Sequence, residues 1–243
     1  NKLNGVHHQC GPELGDNIEY GPFVHTFNLL LPPQMYMDEH PEYYSLVKGK
    51  RNNERPQLCL TNPEVLEIGK KRLRQWIKDY PQATIFSVSQ NDWHNYCECT
   101  TCTAVAEREG SQIGPILEFV NALADDIRED YPHVAISTLA YTYSRRPPKT
   151  LRPRPNVIIR LCSIECCFIH PLATDEFNET FRDDIVGWSE KCDRLYIWDY
   201  VINYANSIMP FPNLYVLKPN INFFIEHGVK GIYEEACYYT RGA

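Results

Sequence analysis

The sequence has no run of apolar residues approaching the roughly 18 that a membrane-spanning helix needs, and its start resembles no signal peptide. It also has no excess of basic residues, since 24 Lys and Arg stand against 31 Asp and Glu, a formal charge of -7. Because nucleic acids and anionic membranes require clustered positive charge, we expect neither as a partner. The one basic cluster, SRRPPKTLRPRP at 144–155, is proline-rich and typical of a solvated connector.

Two kinds of short functional motif are also absent from the sequence. No glycine-rich phosphate-binding loop follows an apolar run, which argues against a nucleotide-binding, doubly wound protein. No His-Glu-x-x-His or similar paired-histidine spacing occurs, so a catalytic metal is not predicted.

Short apolar runs alternate along the chain with patterns of helical period. The runs are nearly continuous, which is typical of parallel strands that are covered on both faces. They lie at 24–31, 84–89, 133–141, 156–162, 194–200 and 229–236. Four apolar stripes predict helices, the first opening at Asn62-Pro63 and the others lying at 113–131, 177–192 and 217–225, the last ending before Gly228.

This alternation predicts an α/β fold with a parallel sheet. Polar residues at the ends of several different strands favour a (β/α)8 TIM-type barrel, whose active site is assembled from the loops that follow its strands. About six strands are present, so the barrel is predicted to be incomplete in this chain. We expect residues 1–243 to form a single catalytic-type domain and to be a segment of a longer protein.

The candidate site residues follow these strands in order. They are His25 at the first strand; Asn91, Asp92, Trp93 and His94 after the second; Tyr141 at the end of the third; Glu165 and His170 after the fourth; Trp198, Asp199 and Tyr200 at the end of the fifth; and Glu234 and Glu235 at the end of the sixth. Aromatic rings stack on sugar faces and carboxylates accept hydrogen bonds from hydroxyl groups, so a carbohydrate is the predicted partner. Two carboxyls, one protonated and one ionised, are what cleavage of a glycosidic bond requires.

The resulting hypothesis is a glycoside hydrolase that requires no cofactor. Asp92 is the candidate acid/base, and Glu234 or Glu235 is its partner, because strand alternation sends only one of that pair inward. Asp199 and Glu165 are reserve catalytic carboxylates, and the other strand-end residues would hold the sugar. The alternative is a non-catalytic carbohydrate-binding barrel, in which the carboxylates only accept hydroxyl hydrogen bonds.

Ten cysteines are many for a chain of this size. Cys59 is in an apolar run, where a buried thiol packs as a small hydrophobe. Cys97, Cys99 and Cys102, in a predicted loop, have knuckle-like spacing and could supply three ligands to a structural zinc, with the fourth from Cys10, Cys166 or Cys167. Disulfides or free thiols are the favoured alternative.

Five motifs in order carry a resemblance: HPEYYSLVKGKR, QLCLTNPEV, SVSQNDWHNYCECTTC, RLCSIECCFIHPL and YIWDY. They resemble a bacterial domain-of-unknown-function family of glycosidase-like barrels, whose members often accompany an α-glucuronidase-type N-terminal domain. The resemblance implies an exported, periplasmic or cell-surface protein of polysaccharide utilisation. More remotely the chain resembles α-glucuronidases and hexosaminidases, whose general acid follows the fourth barrel strand. That position matches Asp92, where those enzymes generally have Glu.

Overall fold

The computed structural model describes residues 18–51, 54–206 and 209–236. Its helices are α1 (Phe27–Leu30), α2 (Pro33–Tyr36), α3 (Pro63–Asp79), α4 (Thr100–Glu109), α5 (Ile113–Ile127), α6 (Glu179–Ser189) and α7 (Leu214–Glu226). Its strands are β1 (Leu46–Val47), β2 (Lys50–Arg51), β3 (Ile85–Ser87), β4 (Ala135–Ala140), β5 (Val157–Cys162), β6 (Leu195–Tyr200) and β7 (Gly231–Glu235). Within these ranges, no helix combines the length and the apolarity needed to cross a bilayer.

Strands β3 to β7 form one parallel sheet, and their order in the sheet is their order in the sequence. A doubly wound sheet reverses its strand order at a switch point, whereas a barrel adds each strand beside the one before it. The five strands coincide with five of the six predicted apolar runs. The predicted α/β fold, with part of a (β/α)8 barrel, is therefore confirmed.

The first predicted strand, at 24–31, is wrong. Phe27–Leu30 forms the short helix α1, with Phe27 and Leu30 buried. The extended segment beside β3 lies a few residues earlier, where Gly21 N–H donates to the Ile85 carbonyl at 2.9 Å and Ser87 N–H donates to the Pro22 carbonyl at 3.0 Å. A short run that is apolar on all sides fits a buried helix turn as well as a buried strand, which explains the error.

The predicted helices are confirmed as α3, α5, α6 and α7. Asn62 accepts a hydrogen bond from Glu64 N–H at 2.9 Å, so it is the cap expected before Pro63. Gly228, just beyond α7, has the left-handed φ of +70° that a glycine tolerates best. Helix α4 was not predicted, and it places Cys102 in a helix rather than in a loop.

The chain divides into two compact units, and the division falls inside β4. The first unit comprises 1–105 with 115–138, and the second 106–114 with 139–243. The prediction of a single domain stays a prediction. In the first unit, Gly69 on α3 permits a close approach, since a Cβ there would lie 3.0 Å from the ring of Phe119 on α5. In the second, α6 buries Trp188, whose Nε1 donates to the Arg145 carbonyl at 2.9 Å.

The long segment between α1 and α3 contains short ordered elements. Strands β1 and β2 pair as an antiparallel hairpin. Its two turn residues, Lys48 and Gly49, both have positive φ, as the tightest hairpin turns require. The Leu46 carbonyl accepts a hydrogen bond from Glu98 N–H at 2.7 Å, so the hairpin is attached to the cysteine-containing segment that follows β3.

Candidate functional site

One face of β6 and β7 combines aromatic rings with a carboxylate. In the strand register Trp198 lies beside Tyr233, and Tyr200 beside Glu235. The Trp198 and Tyr233 rings meet edge to face with their centroids 4.7 Å apart. Trp198 Nε1 donates a hydrogen bond to Glu235 Oε2 at 2.8 Å. Because side chains alternate along a strand, these four residues share one face.

Further groups extend this surface at its edges. The Arg160 guanidinium lies 5.5 Å from the centroid of the Trp198 ring, a cation–π distance. Phe168 and Tyr204 approach Tyr200 with ring centroids 5.8 and 6.1 Å away, and Tyr204 is exposed. We call the set Phe168, Trp198, Tyr200, Tyr204 and Tyr233, together with Glu235, the aromatic face.

The opposite face of the same two strands has a pair of acidic side chains. Asp199 and Glu234 are register partners on neighbouring strands. Ser163 Oγ donates to Asp199 Oδ1 at 2.5 Å, while Glu234 Oε2 is buried with no hydrogen-bond partner among the described residues. Burial, and then the charge of Asp199, raise the pKa of Glu234 to about 7. Burial also raises the pKa of Asp199, against the lowering effect of the Ser163 hydrogen bond.

The two adjacent glutamates therefore lie on different faces, as alternation predicted. Glu235 is on the aromatic face, where its Oε2 accepts the hydrogen bond from Trp198 Nε1. Glu234 is on the other face, where burial is the main cause of its raised pKa.

In the first unit, the loop after β3 is fixed by buried amides. Gln57 Nε2 donates to the carbonyls of Asn91 and Trp93 at 2.9 and 2.7 Å, and Gln57 Oε1 accepts from Asn91 N–H at 2.9 Å. The side-chain amide of Asn91 donates to the Pro56 carbonyl and to Asn28, so it holds the loop together. The side chain of Asp92 projects from this fixed loop and is exposed.

The remaining first-unit candidates lie around the same loop. His25 has a positive φ and its Nδ1 lies 2.9 Å from the Gln90 carbonyl. His94 is exposed. The indole N–H of Trp93 is buried with no acceptor among the described residues. The catalytic and sugar-binding roles of these side chains stay predictions.

Three second-unit candidates have other local contacts. Glu165 forms an ion pair with Arg145, with 3.0 Å between oxygen and nitrogen, and Arg145 also binds Asp184 at 2.6 Å. His170 Nδ1 lies 3.3 Å from Cys167 Sγ. Tyr141 begins a 3-10 turn over Thr142–Ser144, where its N–H donates to Ser144 Oγ. The structure brings none of these three into the carboxylate pair.

Four thiols form a cluster in the first unit. The Sγ atoms of Cys59, Cys97, Cys99 and Cys102 all lie within 4.8 Å of one another, and we call this set the cysteine cluster. Cys59 is thus the fourth thiol beside Cys97, Cys99 and Cys102, the three predicted ligands. It had been expected only to pack as a small hydrophobe. Of the residues proposed for that place, Cys10 lies outside the described residues, and Cys166 and Cys167 are absent from the cluster. All eight described cysteines are free thiols.

Sequence reasoning missed three residues that organise these sites. The position of Cys59 gave some indication, because it lies three residues before Asn62, the N-cap of α3, and a helix start fixes the backbone nearby. Ser163 lies directly after β5, where a hydroxyl can reach the neighbouring strand end. Gln57 gave no such indication, because nothing in RPQLCL marks its amide as the group that binds two carbonyls of a distant loop.

The described structure is an α/β protein of successive strand and helix units with an aromatic and acidic site at its carboxyl-terminal strand ends. Residues 5–243 match the family described as "Domain of unknown function (DUF4838)". The chain therefore belongs to this family, as the sequence motifs predicted for a domain-of-unknown-function family. No curated protein matches the chain.

Solved structures of several carbohydrate-active enzymes are similar to the chain. One is the GH36 α-galactosidase AgaA A355E D548N from Geobacillus stearothermophilus in complex with raffinose, with 13% identity, a TM-score of 0.46 and coverage of 85% of this chain and 26% of that one. Another is a GH5-4 broad-specificity endoglucanase from Bacteroides salanitronis, with 12% identity, a TM-score of 0.45 and coverage of 76% and 58%. A third is endo-glycoceramidase II from Rhodococcus sp., with 10% identity, a TM-score of 0.43 and coverage of 72% and 41%.

Proposed function

We propose that the chain belongs to a glycoside hydrolase and that Glu235 is a catalytic carboxylate of its active site. The observation that carries the proposal is the hydrogen bond from Trp198 Nε1 to Glu235 Oε2 within the aromatic face. It combines, at the carboxyl ends of parallel strands, an oriented carboxylate with rings that can stack on a sugar.

The chemistry follows from the charge of that carboxylate. Cleavage of a glycosidic bond passes through a transition state with positive charge on the sugar ring, which a nearby ionised carboxylate stabilises or attacks. The indole N–H bond to one oxygen fixes the direction of the carboxyl group, and the second oxygen can face the anomeric carbon.

The aromatic face supplies the binding surface. Tyr204 and Phe168 lie at its accessible edge, whereas Trp198 and Tyr200 are buried beneath. Rings at the edge can stack against the C–H surface of a pyranose. The buried Trp198 orients the Glu235 carboxylate through its indole hydrogen bond. We therefore assign sugar binding to Tyr204 and Phe168, and cleavage of the glycosidic bond to Glu235.

A glycosidase also needs a general acid. Asp92, at the end of β3 in the first unit, is the acid that the sequence motifs imply, and its role stays a separate prediction. The Asp199 and Glu234 carboxyls both have a raised pKa, but alternation puts them on the face opposite Glu235. We therefore assign that pair a supporting role and test its titration separately.

The test is a hydrolysis screen of the full-length protein on aryl glycosides and oligosaccharides, including uronic-acid and N-acetylhexosamine types. We expect turnover of one class, and a fall in kcat/KM of at least about 10³-fold in Glu235→Gln. The matched control is Glu226→Gln, since Glu226 is an exposed glutamate on α7 in the same unit. Full activity in Glu235→Gln would overturn the assignment of Glu235.

A second variant separates direct attack from electrostatic support. If Glu235 attacks the anomeric carbon, azide should restore turnover to Glu235→Ala and yield a glycosyl azide, because the small anion occupies the space of the lost carboxylate. Glycan binding without turnover, in both the unaltered protein and the variants, would favour the carbohydrate-binding alternative, in which the aromatic face binds a sugar and Glu235 accepts its hydroxyl hydrogen bonds.

A further inference from the structure

We propose that Cys59, Cys97, Cys99 and Cys102 together bind one zinc ion, which fixes the loop after β3. The proposal is independent of hydrolysis. It assigns a structural metal site whose fourth ligand comes from a segment well upstream of the other three.

The distances suit a tetrahedral tetrathiolate site. Zinc–sulfur bonds of about 2.3 Å in a tetrahedron place the sulfurs about 3.8 Å apart. Cys59 Sγ and Cys99 Sγ lie 3.7 Å apart, and all four sulfurs lie within 4.8 Å of one another. A disulfide requires about 2.05 Å between its sulfurs, so the cluster has the spacing of a metal site rather than of a bond.

The groups around the sulfurs are donors, as thiolate ligands require. Leu46 N–H donates to Cys97 Sγ at 3.4 Å, and the Arg51 guanidinium lies 3.6 Å from the same atom. Thr61 Oγ1 lies 3.2 Å from Cys102 Sγ and can donate its proton there. Four thiolates and Zn²⁺ carry a net charge of -2, which the guanidinium and the N–H groups offset.

Helix α4 places its N-terminal end beside the cluster. Cys102 lies in its first turn, where the N-terminal end of a helix dipole stabilises negative charge. If the four cysteines only packed as apolar side chains, the hydrogen-bond donors around their sulfur atoms would be unexplained. The partial exposure of Cys99 would be unexplained too, since packing alone gains little from a half-buried thiol.

The site would join three segments of the first unit. Cys59 precedes α3, the β1–β2 hairpin supplies Leu46 and Arg51, and the other three ligands connect the end of the β3 loop to α4. Asp92 lies five residues before Cys97 in that loop. With four protein ligands the metal has no open position, so its role is to position the loop and not to activate water.

The first measurement is the metal content of the full chain, purified without added chelator and dialysed exhaustively. We expect one zinc per chain. After removal of zinc under reducing conditions, Co²⁺ should bind and give the intense visible bands and the thiolate-to-cobalt charge transfer of a tetrahedral thiolate site. A chain that contains no stoichiometric zinc and gives no such bands would overturn the proposal.

Substitutions identify the ligands. Cys59→Ser should lose the zinc and the cobalt spectrum, while Cys192→Ser, at a buried cysteine outside the cluster, should keep both. Unchanged zinc content and spectrum in Cys59→Ser would exclude Cys59 as a ligand and overturn the four-cysteine site. If Cys59→Ser does not fold, the partly exposed Cys99→Ser takes its place with the same expectations. Disulfides among these cysteines in protein purified under anaerobic conditions would also overturn it.

Discussion

Trp198 on β6 holds the carboxylate of Glu235 on β7 through a hydrogen bond of 2.8 Å from Nε1 to Oε2. The two residues are not direct register partners, since Trp198 lies beside Tyr233 and Glu235 beside Tyr200. The bond is therefore a diagonal contact on one face of the sheet, which long aromatic side chains can make. It orients a carboxylate that would otherwise rotate freely at a strand end.

Removal of that bond should affect turnover more than stability. Trp198→Phe keeps a ring but loses the donor, so we expect kcat/KM to fall by about 10- to 100-fold, as for other residues that orient a functional group. Trp188→Phe is the matched control, because Trp188 also donates one indole hydrogen bond, in this case to the Arg145 carbonyl. It should lower the melting temperature without changing kcat. Equal kinetics in the two variants would contradict an orienting role for Trp198.

The raised pKa of Glu234 predicts how stability depends on pH. The folded protein binds this proton more tightly than the unfolded chain, since the pKa rises from 4.5 to about 7 on folding. Its stabilising effect is complete below about pH 4.5 and is lost as the pH rises through 7. Glu234→Gln has no proton to lose, so it should match the unaltered protein at pH 4 and exceed it in stability at pH 8.

The expected gain at pH 8 is on the order of 1–2 kcal/mol, after discounting for the partial exposure of the side chain. Denaturant unfolding at both pH values measures it. The exposed control Glu226→Gln should show no such difference between the two pH values. A Glu234→Gln variant that is less stable than the unaltered protein at pH 8 would show that the carboxylate has a favourable partner there.

A matched pair of serines tests the hydrogen bond to Asp199. Ser163 Oγ donates to the buried Asp199 carboxylate at 2.5 Å, so Ser163→Ala should destabilise the fold by about 1–3 kcal/mol and raise the pKa of Asp199 further. Ser137 is equally buried, but its Oγ has no partner among the described residues. Ser137→Ala should therefore be neutral or stabilising. Unfolding free energies that are equal for the two variants would contradict this reading of Asp199.

Gln57 offers a test of the loop that holds Asp92. Its Nε2 donates to two backbone carbonyls, so Gln57→Glu would place a carboxylate against two acceptors in a buried position. We expect the free energy of unfolding to fall by about 3 kcal/mol or more, or the new carboxyl group to be protonated. The fall should be smaller at low pH. The exposed Gln34→Glu should change stability by less than about 0.5 kcal/mol. A stable Gln57→Glu variant at pH 8 would exclude this network.

The sheet could be predicted well because its strands are short, continuous apolar runs separated by clear helical stripes. Helix α4 was missed because its sequence, TTCTAVAERE, buries Cys102, Val105, Ala106 and the charged Glu109, and so has no strong apolar stripe. The segment beside β3 was missed for a related reason. Glu19 to Pro22 has little apolar character, and its strand-like pairing depends on a partner far away in the sequence.

The contacts among the candidate site residues could not be predicted from the sequence, and the roles of these residues stay predictions. Alternation alone predicted that Glu234 and Glu235 face opposite ways. Which of them meets the aromatic rings depends on the register of β6 against β7, which the sequence does not encode locally. The cysteine cluster is a similar case. Spacing indicated three ligands, but Cys59 is brought to them by tertiary folding, and the chain offered several other cysteines for that place.

The sequential strand order bears on how the chain folds while it is being synthesised. Each of β4 to β7 joins the sheet beside the strand that left the ribosome before it. At the usual rates of translation, roughly one to ten seconds pass before the next strand is synthesised and can pair with the exposed edge of the last one. During that time its unpaired backbone can associate with other nascent chains. The growing sheet is therefore most vulnerable to aggregation in the pauses between strands, before its latest edge is covered.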